Sequence, residues 1–138
     1  MSDKTFENMT DEQILQKLLA VDDAPTKTVV IPRLGIPVTL RGLTGKQVST
    51  IRDRCTEKTG KGRNYVEKLD TEEFNASLIA AATVKPNWGD PQLMSKFKAS
   101  SPAEVVRRVL LAGELDAIGN EVLELSGYGV DLEEVKNG

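Results

Sequence analysis

The sequence predicts an α+β fold: a mainly α-helical single domain with a two-stranded β-hairpin near its N-terminal end. Three observations predict it. Residues Thr28 to Arg41 hold the one clear strand–turn–strand pattern. Several later stretches place apolar residues at helical spacing directly after a Thr, Asp or Ser cap. Aromatic residues are only 4% of the 138, so Val, Leu, Ile and Ala must fill the core, as in helices packed on a small sheet.

Residues 1–25 read as a polar tail followed by an amphipathic helix. Thr10 opens the helix: its hydroxyl can accept the Gln13 amide while Gln13 reaches back, the capping-box pattern. Ile14, Leu15, Leu18 and Leu19 follow on one face. Asp22 and Asp23 oppose the negative end of the helix dipole, and Pro25 disfavours a further turn.

Residues 26–41 form the hairpin. Ile36, Val38 and Leu40 alternate with Pro37, Thr39 and Arg41, and Val29 and Ile31 match them on the other arm. Pro32 and Pro37 sit near the turn, where a missing N–H is tolerated. A lone two-stranded ribbon is marginal in water, so it must pack on helices or pair with another chain.

Thr44 caps a second helix with Gln47 at the reciprocal position, and Val48 and Ile51 face inward with Cys55 near the same stripe. Lys58 to Asn64 is glycine-punctuated and basic, and reads as a mobile loop. Asp70 and Glu73 open a third helix with Phe74, Leu78, Ile79 and Ala82 on its buried face, broken by Val84 to Gly89. Asp90-Pro91 opens a short helix, and Ser101-Pro102-Ala103-Glu104 opens another that carries Val105, Val106, Val109 and Leu110. A glycine inside a helix costs ~1 kcal/mol relative to alanine, so a break is expected at Gly113. The last helix then runs from Glu114 to Leu125, with Leu115, Ile118, Val122 and Leu125 as its apolar face and Ser126-Gly127 as its C-cap. Residues 130–138 read as a tail with one frayed turn.

Composition narrows the chemistry. Eighteen basic residues against 21 acidic give a net charge of −3, which argues against nucleic-acid binding. One cysteine excludes an intrachain disulfide and a cysteine metal cluster. The absence of histidine removes the commonest general base and transition-metal ligand. No apolar run approaches the ~20 residues of a membrane span, and no signal segment opens the chain. Gly45-Lys46 lacks the upstream glycine and following Ser or Thr of a phosphate loop. The pairs Asp22-Asp23, Glu72-Glu73 and Glu133-Glu134 lack the spacing of a calcium loop. Cys55 lies near Arg52 and Arg54 but has no histidine to act as base. The basic run Lys58 to Arg63 lacks the aromatics that stack on bases. These residues indicate no catalytic centre and no cofactor.

The turn Arg33-Leu34-Gly35, the exit Leu43-Thr44-Gly45-Lys46, Ile51-Arg52-Asp53, and the segment Leu110-Leu111-Ala112-Gly113-Glu114 running to Leu125-Ser126-Gly127-Tyr128 resemble the XkdN-like phage tail assembly chaperones. The resemblance covers about residues 26–129. The family often has proline where Ala112 stands, which implies a softer break at Gly113. The resemblance implies a non-enzymatic protein of a tailed phage or prophage. It would act in the host bacterial cytoplasm and be absent from the mature particle. Its implied partners are the tape measure protein, which it keeps soluble, and the tail tube protein, which it helps recruit. Self-association is left open. The resemblance also implies that this is the short form of a pair related by frameshifting. The rival reading is a structural component retained in a phage tail or phage-derived particle.

A rod of amphipathic helices needs its apolar stripe covered, and a helical partner does so through contacts at i, i+3, i+4 and i+7. The stripe Leu115, Ile118, Val122, Leu125 is one surface for that contact, against the plainer reading that it is the chain's own core. Ile14 and Leu18 on the first helix are a second. Trp88, flanked by Pro86 and Gly89, is either a core plug or an exposed anchor.

Overall fold

The computed structural model describes residue 6 and residues 8–21 and 24–134. The helix stop expected at Asp22-Asp23, most of the N-terminal tail, and residues 135–138 lie outside the described residues. The described residues form two units, one within 24–128 and the other from the stretches 1–23 and 129–138.

In the larger unit the expected hairpin is present. Strand β1 (Thr26–Ile31) pairs antiparallel with β2 (Ile36–Arg41), Thr26 opposite Arg41 and Ile31 opposite Ile36. Period-two alternation sends Ile31, Val38 and Leu40 into the core. The turn closes through the Gly35 amide to the Ile31 carbonyl at 2.8 Å, with Gly35 at φ 64°. A third strand, β5 (Thr83–Lys85), pairs on the other side of β2, giving the order β1-β2-β5. The stretch read only as a helix break is thus also a strand. At three residues it is too short to display a period.

Helix α2 (Gly45–Arg54) carries its expected capping box: Thr44 Oγ1 accepts the Gln47 amide at 3.3 Å, and the Thr44 amide donates to Gln47 Oε1 at 2.8 Å. The expected mobile loop that follows is instead a second hairpin. Strand β3 (Thr56–Thr59) pairs with β4 (Val66–Leu69) across a 3₁₀ turn at Gly62–Asn64. Apolar alternation could not reveal it, because six of its eight strand residues are exposed. Cross-strand charge pairs replace that signal: Glu57 lies opposite Lys68, and Lys58 opposite Glu67. Gly60, at φ 84°, sits where a β-carbon would overlap the Asn64 carbonyl.

Helix α3 (Thr71–Ala82) is the centre of the unit, and buries Phe74, Ala76, Leu78, Ile79 and Ala82. It packs on α5 (Pro102–Val109) and α6 (Ala112–Leu125) and touches α2 and β2. The short helix α4 (Pro91–Lys96) lies before α5. Asp70, Asp90 and Ser101 cap α3, α4 and α5 with their side-chain oxygens, as their sequences predict.

The break expected at Gly113 lies earlier. Leu110 and Leu111 are extended, and α6 starts at Ala112. Gly113 falls in the first turn, where amides lack intrahelical partners in any case. The start is set instead by Glu114, whose carboxylate accepts the Leu111 amide at 2.8 Å. At the other end Gly127 is at φ 92°. Its amide donates to Glu124 O and the Tyr128 amide to Leu123 O, each at 3.1 Å, which is a Schellman cap.

In the smaller unit, α1 (Asp11–Leu19) has the expected capping box at Thr10 and Gln13. Residues 131–134 form no regular element.

Candidate interaction surface

Two pairs of distant segments meet and fix the large unit. Arg33, in the β1–β2 turn, donates from Nε and Nη2 to the two oxygens of Glu114 at 3.0 and 2.8 Å, and from Nη2 to the Val109 carbonyl at 2.8 Å. One planar guanidinium therefore ties the turn to both sides of the α5–α6 break. Its hydrogen bonds hold the Glu114 carboxyl below its ordinary range, helped by the Leu111 amide. At the opposite end of α6, the Leu43 amide donates to Ser126 Oγ at 2.9 Å, and Ser126 Oγ donates back to Val122 O at 2.7 Å. Arg33 and Glu114 are 81 positions apart, and Leu43 and Ser126 are 83 apart.

The α6 stripe is internal. Leu115, Ile118 and Val122 belong to the core, and Leu125 is half-buried against it. Trp88 is 5% exposed, and its indole N–H donates to Thr83 Oγ1 at 3.1 Å. Thr83 Oγ1 in turn donates to the Ile79 carbonyl. These side chains are packed within their own domain.

Two features of the described residues are exposed. No side chain of α1 is buried, and Ile14, Leu15, Leu18 and Leu19 are 44%, 52%, 65% and 69% exposed. Full burial of such a side chain is worth about 1.5–3 kcal/mol. The second feature is the β3–β4 hairpin, which carries Lys61 and Arg63 at its tip with Tyr65 and Val66 exposed beside them. Sequence reasoning located the first by its period. It located the basic residues of the second but not the strands that hold them out.

An open groove of about 490 Å³ between α3 and α5 is lined by Glu72, Glu73, Ser101, Glu104, Arg107 and Arg108. Four of its five charges are paired: Arg108 with Glu104 at 2.8 Å, and Arg107 with Glu72 at 3.2 Å. The Ser100 amide and hydroxyl, followed by Arg108, hold the Glu104 carboxyl down at about 2. Cys55 is buried, with Sγ 3.8 Å from Ser77 Oγ, and burial pushes its thiol up from the ordinary value, away from a reactive thiolate. Among the described residues, no three His, Cys, Asp or Glu side chains are grouped to hold a metal. No described helix is long and apolar enough to cross a membrane.

The model of the phage XkdN-like tail assembly chaperone family matches residues 12–137. Two proteins of Bacillus subtilis (strain 168), the uncharacterized protein YqbN and the phage-like element PBSX protein XkdN, are each 31% identical over 103 residues. Those residues are 73% of this chain and 69% and 70% of the two relatives. A crystal structure of YqbN has the same fold, with a TM-score of 0.57 at 23% identity over 78% of this chain and 89% of that one.

Proposed function

We propose, on the premise that this chain belongs to the phage XkdN-like tail assembly chaperone family, that it keeps the tape measure protein of a tail soluble until tail tube subunits surround it. The observation that carries the reading is the exposed stripe of α1. A chaperone for a rod of amphipathic helices needs an apolar helical face that its own fold does not consume. Ile14, Leu15, Leu18 and Leu19 are such a face.

The work on this reading is binding, with no bond made or broken. The stripe lies along a helical segment of the rod by side-chain contacts one turn apart. Four apolar side chains give modest affinity per copy, so many copies along one rod hold it by avidity and still release one at a time. Tail tube subunits displace them as the tube grows. The chain acts in the host bacterial cytoplasm and is left out of the finished particle.

Co-expression with the tape measure gene of the same phage element tests the reading. The expected result is a soluble tape measure protein that co-purifies with the wild-type chain. The Ile14→Asp/Leu18→Asp variant should leave it in the pellet. A tape measure protein equally soluble with and without this chain, and not co-purifying with it, refutes the reading.

A further inference from the structure

The β3–β4 hairpin and the exposed stretch 129–134 match each other in pattern and in charge. We infer that the acidic stretch of one copy of this chain adds as a third strand to the basic hairpin of a second copy. The inference does not rest on tape measure binding.

The hairpin is a sheet of only two four-residue strands, and only Thr56 and Leu69 at its base are half-buried. Two strands alone are marginal in water, and a third supplies the missing stability. Each strand has one edge without a partner strand, a row of amides and carbonyls open to strand addition. Along the strands the charges cancel, Glu57 against Lys68 and Lys58 against Glu67. At the tip Lys61 and Arg63 are left over, since neither has an ion-pair partner among the described residues. Tyr65 and Val66 beside them are 49% and 55% exposed.

The complementary pattern stands at 130–134. Val130 and Leu132, 67% and 90% exposed, alternate with Asp131 and Glu133, and Glu134 follows. Apolar and acidic residues at period two are what a strand on a sheet edge presents: one face greasy, the other charged. Added to the hairpin, the stretch brings its apolar side chains beside Val66 and its carboxylates to Lys61 and Arg63. The contact joins different surfaces of the two copies, so repetition extends it into a row. A six-residue strand buries far less than the roughly 1,600 Å² of a standard stable interface, so the association is weak and salt-sensitive.

Sedimentation velocity of the full chain, over a range of protein and salt concentration, tests the inference. The wild-type chain should self-associate, and added salt should weaken the association. Asp131→Lys/Glu133→Lys and Lys61→Glu/Arg63→Glu should each weaken it by about tenfold or more, the scale of a few exposed charge pairs reversed. An equimolar mixture of the two variants should regain it, because the opposed charges match again. All four positions are exposed, so circular dichroism should show both variants folded. A chain that stays monomeric throughout, an association neither reversal weakens, or variants that stay apart when mixed would overturn the inference. No tape measure protein is present in the experiment, so this inference and the chaperone reading fail independently.

Discussion

Gly42 passes so close to the end of α6 that a methyl group there would overlap the Leu125 carbonyl oxygen. A backbone atom cannot swing aside, so Gly42→Ala should cost about 3 kcal/mol or more, read as a lowered midpoint of thermal unfolding. A β-carbon added at Gly119 would come within 2.8 Å of Asn75 Oδ1, but that neighbour is a side chain. It can turn away at the cost of its 3.2 Å hydrogen bond to Asp116. Alanine returns about 1 kcal/mol of helix propensity, so Gly119→Ala should be the milder change by a clear margin. Glu104 makes a pH prediction. Its carboxyl is lowered from 4.5 to about 2 by Ser100 and Arg108. A folded-state value below the unfolded one stabilises the fold above the unfolded value, and the contribution is lost as pH falls through the folded one. Stability measured by denaturant titration should therefore decline between about pH 4.5 and 2, and Glu104→Gln should flatten that part of the curve.

At the level of the element, α3 and α1 are opposites. Leu78 in α3 is fully buried at the centre of the core, and Leu78→Ala should cost about 2–5 kcal/mol. Leu18 in α1 is exposed, and Leu18→Ala should shift stability by less than about 0.5 kcal/mol. Two thermal melts decide the contrast. The elements legible in the sequence are those with local causes. Thr10, Thr44, Asp70, Asp90 and Ser101 cap their helices as read, because a cap is made within three residues. The hairpin at 26–41 was legible because one of its faces is buried. Strand β5 and the β3–β4 hairpin were not, one being too short for a period and the other exposed on both faces. The start of α6 was misplaced by two residues for a related reason: Glu114 sets it, together with an arginine 81 positions away. Of the residues read from the sequence as partner-binding, Ile14 and Leu18 are exposed. The α6 stripe has the same helical period and is core, because periodicity reports one apolar face and not what covers it.

At the scale of the whole molecule, every residue of the buried core found among the described residues lies within 24–128. A nine-residue helix with no buried side chain has little to hold it, since isolated helices of that length are marginal in water. Amide exchange should therefore be slowest in α3 and β2 and fast throughout α1 in the free chain. Added tape measure protein should slow α1 selectively, and equal exchange in α1 and α3 of the free chain would contradict this division. Trp88 gives the same division an optical consequence. It is the chain's single tryptophan, sealed beside Thr83 with its ring nitrogen satisfied. Its ultraviolet emission is therefore that of a dry indole, and it reports the integrity of the interior alone. A tryptophan-free ligand settling on the first helix would leave the spectrum where it was. A red shift during such a titration would signal that the interior itself had opened.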